Sequence, residues 1–212
     1  MLEVGAGQGG LGSWLARRYT YVGFEPDTAS RAVAIDRIAR TGLGNIVDHL
    51  DDPPEVYDLV CAFEVLEHIE DDDAAIEEWH GYIAAQGWLL LSTPAHSNRY
   101  GISDEYVGHF RRYDRWTLVN LLEKHGFDIV RFRSYGAGLG QALEAARNVA
   151  LRRRAAPSAP AGSAGSGRLF QPSGDAWAWM NFGATLPFRA VQAPFSRTDI
   201  GSGYVVAAQR RS

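Results

Sequence analysis

The chain has little cysteine, no excess of positive charge and no long apolar run. Cys61 is its only cysteine, which excludes a disulfide framework and a cysteine metal site, so Cys61 is most simply a small core residue. The formal net charge of −4 argues against nucleic-acid binding, because such binding depends on clustered Lys and Arg. No segment is apolar for long enough to cross a bilayer. We expect a single domain over residues 1–212, located in the cytoplasm and without a nucleic-acid partner.

Glycine, by contrast, is concentrated in the segment Leu2-Glu3-Val4-Gly5-Ala6-Gly7-Gln8-Gly9-Gly10. An apolar strand that runs into such a loop and then into a helix is typical of a nucleotide-cofactor site, because the loop lets a ligand approach the backbone and the helix start offers free N–H groups. The spacing fits Gly-x-Gly-x-Gly and also the dinucleotide pattern Gly-x-Gly-x-x-Gly. The glycines alone therefore do not distinguish S-adenosylmethionine from NAD.

Two carboxylates refine this prediction. Glu25 ends the apolar segment that follows the loop, 20 positions after Gly5, where an acidic residue accepts hydrogen bonds from ribose hydroxyls. Both cofactors have a ribose, and a surface glutamate at a strand end is the alternative. Glu3 lies two positions before Gly5 and favours a cationic ligand such as S-adenosylmethionine over a pyrophosphate, which it would repel. Glu3 is also compatible with a purely structural role, holding the loop amides.

Further segments follow in a recognisable order: Tyr57-Asp58-Leu59-Val60, then Val65-Leu66-Glu67-His68-Ile69, then Gly87-Trp88-Leu89-Leu90-Leu91-Ser92-Thr93-Pro94. Together with the glycine loop and Glu25, they resemble the class I S-adenosylmethionine-dependent methyltransferases, in particular the small-molecule type that includes ubiquinone-biosynthesis methyltransferases. The resemblance covers residues 2–135 well and 202–209 weakly. It implies methyl transfer to a small-molecule acceptor, with S-adenosylmethionine as cofactor.

The resemblance also implies roles for individual residues. The methionine portion of the cofactor would lie against Gly5, Ala6, Gly7 and Gly9, with Glu3 beside them, and the ribose against Glu25 and its neighbour Pro26. Adenine would lie against the segment after the third strand, where Asp48, His49 and Leu50 compete and we choose Asp48 and Leu50. Phe63 and Glu64, after the fourth strand, would line the amino-acid end of the cofactor, with a main-chain carbonyl near its ammonium group. Phe63 fits simple core packing equally well.

Two histidines are candidates for a general base, which the reaction needs only if the acceptor must lose a proton. His68 belongs to the Leu-Glu-His-Ile segment, and His109 lies in the loop that the family topology places over the acceptor. Each has a structural alternative, at the entry of a helix. No cluster has the spacing of metal ligands, so we predict no metal site.

The alternation of strand and helix patterns predicts an α/β fold, and the resemblance implies a Rossmann-like, seven-stranded and mostly parallel sheet with an antiparallel last strand and helices on both faces. We predict strands near 1–4, 20–25, 45–49, 57–62, 87–92, 127–134 and 202–209, and helices near 9–18, 28–40, 72–84, 114–125 and 139–153. The fourth helix would begin after Asp114 as N-cap and end at Gly126, with Trp116, Leu118, Leu121 and Leu122 in the core.

Two features depart from the family pattern. The chain begins inside its first strand, where family members usually carry one or two helices. We expect a longer natural start, and the alternative is an unusually open cofactor pocket. A low-complexity insertion near 155–168 precedes the last strand and is expected to be flexible. Arginines and aromatic residues around this insertion raise the alternative of peripheral membrane contact through 152–195, or of a lid for a hydrophobic acceptor.

Two other functions stay open from the sequence. An NAD-dependent oxidoreductase accounts for the glycine spacing but gives no reason for Glu3 or for the Glu-Val-Leu-Glu-His run. A non-catalytic cofactor-binding domain accounts for the missing N-terminal cover.

Overall fold

A computed structural model describes residues 1–41, 43–50, 56–153 and 193–212 of the protein. Within them, seven strands form one sheet: β1 Leu2–Val4, β2 Val22–Phe24, β3 Asn45–Val47, β4 Tyr57–Phe63, β5 Ile83–Pro94, β6 Phe127–Tyr135 and β7 Gly203–Arg210. Their order is β3-β2-β1-β4-β5-β7-β6. Strands β1 to β5 pair in parallel, whereas β7 is antiparallel to both β5 and β6. The predicted fold class is confirmed.

The helices are α1 Gly12–Leu15, α2 Thr28–Ala39, α3 Asp72–Gly81, α4 Ile102–Val107, α5 Arg115–Lys124 and α6 Leu139–Arg153, with short 3₁₀ turns at Leu66–His68, Ser97–Arg99 and Ala193–Arg197. Helix α2 begins where the Asp27 side chain accepts a hydrogen bond from the backbone N–H of Ser30, and Asp71 caps α3 through Ala74 in the same way. These caps satisfy N–H groups that have no partner within the helix.

Some predicted boundaries were wrong. The helix predicted over 72–84 ends at Gly81, because the longer strand β5 begins at Ile83. Helix α4 was not predicted at all. Asp114 stands at the N-cap of α5, but its carboxylate accepts hydrogen bonds from the backbone N–H and the hydroxyl of Ser97 and makes no cap bond.

The apolar stripe of α5 is narrower than predicted. Leu118 and Leu122 are fully buried and Leu121 is partly buried, whereas Trp116 is 68% exposed. Only one face of the helix contacts the sheet, so a tryptophan in its first turn faces outward. The helix ends before Gly126, as predicted; this glycine has a left-handed backbone with φ +80°.

Two hydrophobic clusters hold the sheet and helices together. The larger one joins β1, β4, β5, β6 and β7 to α3 and α5, and Cys61 is buried in the sheet as predicted. The smaller one joins α1 and α2 to the β2–β3 side through side chains such as Leu15, Tyr21, Ile38 and Ile46. Helices thus cover both faces, and the carboxyl ends of the five parallel strands meet at one edge, where ligands bind in open α/β sheets.

Among the described residues, no helix has the length and apolar character that a membrane crossing requires. The insertion predicted near 155–168, and almost all of the 152–195 segment considered for membrane contact, lie outside the described residues.

Candidate active site

The glycine loop is a tight turn between β1 and α1. Gly5, Gly7 and Gly9 all have positive φ, at +72°, +55° and +72°, a conformation that residues with a Cβ rarely adopt. The backbone N–H groups of Gly5 and Ala6 both donate to the carbonyl of Phe24, each at 2.9 Å. The loop is thereby fixed to the end of β2.

The side chain of Val65, in the segment that follows β4, packs against this loop. A Cβ added to Gly5 would lie 2.5 Å from Val65 Cγ2, a distance at which one of the two must move. The segment after β4 therefore contacts the glycine loop directly. The residues that directly follow Val65 therefore lie close to the predicted cofactor site.

Glu25 lies where the sequence predicts it, at the end of β2 and facing the loop. Its Oε2 accepts a hydrogen bond from the N–H of Gly7 at 2.7 Å, and its Oε1 accepts one from the N–H of Asp27 at 2.9 Å. The residue is only 8% exposed. Each carboxylate oxygen has a second lone pair, so Glu25 retains acceptor capacity for the two hydroxyls of a ribose.

Glu3 is buried beneath the loop. It is 4% exposed, and its Oε2 accepts a hydrogen bond from the Tyr21 hydroxyl at 2.5 Å. Burial raises the pKa of Glu3 to about 7, although the Tyr21 hydrogen bond acts in the opposite direction. Glu3 is therefore partly protonated at neutral pH. Its predicted attraction for a cationic ligand is weaker than the sequence suggested.

Arg31 connects the ends of β2 and β3. Its Nη1 donates to the carbonyls of Glu25 and Pro26, at 2.9 and 2.8 Å, and its Nη2 lies 3.3 Å from Asp48 Oδ2. A hydrogen bond from His49 and the charge of Arg31 lower the pKa of Asp48. Sequence reasoning missed Arg31, which brings Asp48 to the backbone that carries Glu25.

The other two residues predicted near the adenine and ribose are Pro26 and Leu50. Pro26, which follows Glu25 after the end of β2, is exposed. Leu50 is partly buried and packs against the larger hydrophobic cluster. Its packing gives Leu50 a structural role in addition to the predicted cofactor contact.

Glu64 stands at the junction of β4, β5 and β6. Its backbone has φ +55°, which is uncommon for a residue with a side chain and costs about 1–3 kcal/mol. Its Oε1 accepts hydrogen bonds from Ser92 Oγ and from the Tyr135 hydroxyl, both at 2.7 Å. Phe63, just before it, is half-buried at the end of β4. The Ser92 and Tyr135 contacts were not predicted.

The two candidate histidines come together beside the 3₁₀ turn Leu66–His68. The rings of His68 and His109 pack edge to face with centroids 4.6 Å apart. Nδ1 of His68 lies 3.2 Å from the Gly108 carbonyl. Burial, and then the proximity of His109, lower the pKa of His68 to about 4. His68 is therefore neutral at pH 7.

Glu67 completes this group, which we call the histidine cluster (Glu67, His68, His109). Glu67 is 0% exposed, neither carboxylate oxygen has a hydrogen-bond partner, and Oε1 lies 3.8 Å from His109 Nε2. Burial, and then the charge of Glu64, raise the pKa of Glu67 well above its usual range. Burial therefore favours the protonated form of this carboxyl group more than in an ordinary glutamate.

The sequence predicts no metal site, but the histidine cluster has the composition of one. Its three side chains bring ligand-type atoms within 4.8 Å of one another. Spacing in the sequence could not reveal this group, because His109 reaches it only through the fold. Phe110 N donates to the Glu67 carbonyl at 2.8 Å and holds that loop against the 3₁₀ turn.

The family follows from comparison with known sequences. A sequence model described as a methyltransferase domain matches residues 1–131, which is more than half of the chain. The chain belongs to this family. It is a class I S-adenosylmethionine-dependent methyltransferase, and this membership decides against an NAD-dependent oxidoreductase. A search of curated protein sequences gave no match.

Solved structures show the same fold at low sequence identity. An S-adenosylmethionine-dependent methyltransferase from Mesorhizobium loti is 15% identical with a TM-score of 0.62, and the match covers 99% of this chain and 90% of that one. The [4+2]-cyclase SpnF is 19% identical with a TM-score of 0.62, covering 99% and 74%. Phosphoethanolamine N-methyltransferase 2 of Haemonchus contortus, solved with S-adenosyl-L-methionine, is 17% identical with a TM-score of 0.58, covering 100% and 48%.

Proposed function

We propose that this methyltransferase binds S-adenosylmethionine at the glycine loop and transfers its methyl group to a small-molecule acceptor beside the histidine cluster. The loop residues Gly5, Ala6 and Gly7 and the carboxylate of Glu25 have the right chemistry for the methionine and ribose portions. When bound, the cofactor supplies an activated methyl group on a sulfonium. The protein then has to position the acceptor and, where needed, remove a proton.

His109 is the proposed general base. Its side chain is 12% exposed, so only a small acceptor group or the tip of a narrow molecule reaches it. The proposal rests on this limited access and on the place of the histidine cluster, which directly follows the Val65 contact with the glycine loop. A base in that place accepts the proton of a hydroxyl or of a protonated amine. His68 is neutral and its ring packs on that of His109, so it helps to hold the His109 imidazole in place.

Binding is tested first, by calorimetric titration with S-adenosylmethionine, S-adenosylhomocysteine and NADH. We expect micromolar binding of the first two and none of NADH. Glu25→Ala should lose about 10-fold or more in affinity, whereas Asp36→Ala, which removes an exposed carboxylate on α2, should bind as the wild type does. Binding of NADH alone would overturn the proposal.

Turnover is tested next. Formation of S-adenosylhomocysteine is measured with panels of phenols, amines and carboxylic acids, in the wild type and in His109→Gln. We expect the variant to bind S-adenosylhomocysteine normally but to lose about 100-fold or more in rate, because general bases contribute on that order. Undiminished turnover in a folded His109→Gln variant would exclude the proposed base.

A further inference from the structure

Resting on this proposed function, we infer that Asp104 is a positioning residue for His109: it holds the imidazole with its proton on Nδ1 and leaves Nε2 to accept the proton of the methyl acceptor. Asp104 lies on α4, the helix that the sequence did not predict. Nothing in the sequence pattern marked it as functional.

The contacts of Asp104 are those of an ionised carboxylate. It is 0% exposed, and it accepts hydrogen bonds from Gly101 N at 2.9 Å, His109 Nδ1 at 2.8 Å and Arg112 Nε at 2.8 Å. Burial opposes ionisation, yet the hydrogen bonds from His109 and Arg112 outweigh it and lower the pKa of Asp104. A buried carboxylate is stable in this form when donors surround it.

This carboxylate fixes the tautomer of its histidine partner. An ionised carboxylate only accepts hydrogen bonds, so the Nδ1 atom that contacts it carries the proton. Nε2 of a neutral His109 is then the atom with the free lone pair. Nε2 is also the atom that lies 3.8 Å from Glu67 Oε1, inside the histidine cluster and too far for a direct hydrogen bond.

Arg112, which pairs with Asp104, makes a second ion pair on its far side. The Arg112 side chain is 3% exposed, and its Nη1 lies 2.7 Å from Glu144 Oε1 on α6. Arg112 thus joins α4 and α6 with charge-assisted contacts on two of its nitrogens. The ionisable groups around His109 include Glu67 and His68 from the 3₁₀ turn, Asp104 from α4, and Tyr100, whose hydroxyl donates to the His109 carbonyl. Arg112 and then Glu144 lie behind Asp104.

A purely structural role for Asp104 is the competing explanation. Its bond to Gly101 N lies at the start of α4, and helix caps contribute to stability in any protein. A loss of stability in a variant does not distinguish the two roles. The tautomer of His109 does, because a cap alone has no effect on where the imidazole proton lies.

The test is long-range ¹H–¹⁵N NMR spectroscopy of the histidine rings in the ¹⁵N-labelled 212-residue chain at mildly alkaline pH. His109→Gln assigns the His109 signals by their disappearance. In the wild type we expect a protonated Nδ1 and an unprotonated Nε2. A wild-type His109 with its proton on Nε2, or with both tautomers equally populated, would overturn the inference without any variant of Asp104.

Two variants complete the experiment. Asp104→Asn should lose the single-tautomer signature, because an amide presents a donor as well as an acceptor to the same three N–H groups. Glu144→Gln should keep it, since the Asp104 carboxylate is intact there. A folded Asp104→Asn protein with an unchanged His109 signature contradicts the inference. The readout needs no methyl transfer, so it is independent of the calorimetric and turnover tests of the proposed function.

Discussion

The cofactor half and the histidine-cluster half of the active site are assembled over different distances along the chain. In the cofactor half, Glu25 accepts hydrogen bonds from Gly7 and Asp27, which are 18 and 2 positions away. In the other half, His68 meets the Gly108 carbonyl across 40 positions, and at the border between the two halves Tyr135 meets Glu64 across 71. The first half is encoded by one compact strand-loop-helix-strand segment, and the second by the packing of several elements.

This difference explains why the methyl donor is easier to infer than the acceptor. A short motif has a fixed local geometry, so its chemistry is visible in the spacing of glycines and one carboxylate. An acceptor pocket depends on how separate loops meet over the sheet edge. The same fold carries a [4+2]-cyclase and methyltransferases among the solved structures, so the fold alone does not identify the reaction.

The largest effect is expected from Gly5→Ala, which should disrupt the contact between the glycine loop and Val65, where the two halves of the site meet. The added methyl group meets Val65 at 2.5 Å, and the backbone has φ +72°. We expect a loss of about 2–4 kcal/mol in the free energy of unfolding and at least about 10-fold weaker binding of S-adenosylhomocysteine, measured by urea denaturation and calorimetry.

Gly81→Ala is the matched control, because a Cβ at that helical glycine has no neighbour within 4 Å. It should be neutral or stabilise the protein by up to about 1 kcal/mol. Equal behaviour of the two variants would show that the loop and the Val65 turn are not tightly coupled.

A comparable effect is expected from the buried carboxyl of Glu3, and it depends on pH. Folding raises the pKa of Glu3 from 4.5 to about 7, so the folded protein holds this proton more tightly than the unfolded chain. The stabilisation is complete below the unfolded value and is lost as the pH rises through about 7. From about pH 4.5 to about pH 8, the wild type should lose roughly 3 kcal/mol relative to Glu3→Gln.

Urea denaturation of both proteins at several pH values measures this difference. The comparison with Glu3→Gln cancels the titration of other groups, including Glu67. Parallel pH profiles for the two proteins would mean that Glu3 titrates normally. Its charge would then be fully available to attract a cationic cofactor, as the sequence alone predicted.

The smallest effect is expected from Tyr135→Phe, which tests whether the Glu64 side chain belongs to the cofactor half of the site. The variant removes the 2.7 Å hydrogen bond to Glu64, at a cost of about 1 kcal/mol in stability. Affinity for S-adenosylhomocysteine should stay within about twofold, because the predicted cofactor contact of Glu64 uses its main chain. A loss of about 10-fold or more would instead assign the Glu64 side chain to cofactor binding.

Much of the fold, and the proximity of Glu25 to the glycine loop, could be predicted from the sequence. All seven strands were expected, because apolar runs bounded by turn residues are a strong local signal. Only β5, observed at Ile83–Pro94 and predicted over 87–92, is clearly longer than expected. Glu25 and the glycine loop were expected together and are hydrogen-bonded through Gly7. Helix α4 was missed, since it has only 6 residues and its buried positions, Ser103 and Asp104, are polar.

By itself, the sequence determined the succession of strands along the chain, the conformation of the glycine loop and the family. These depend on short-range sterics and on the alternation of apolar and polar residues. Only the tertiary structure decided that His109 lies against Asp104 and near Glu67, that the buried Glu67 carboxyl has no hydrogen-bond partner, and that Glu3 lies under the loop with a raised pKa. Burial and long-range hydrogen bonding set the protonation of these groups, and both depend on residues distant in the chain.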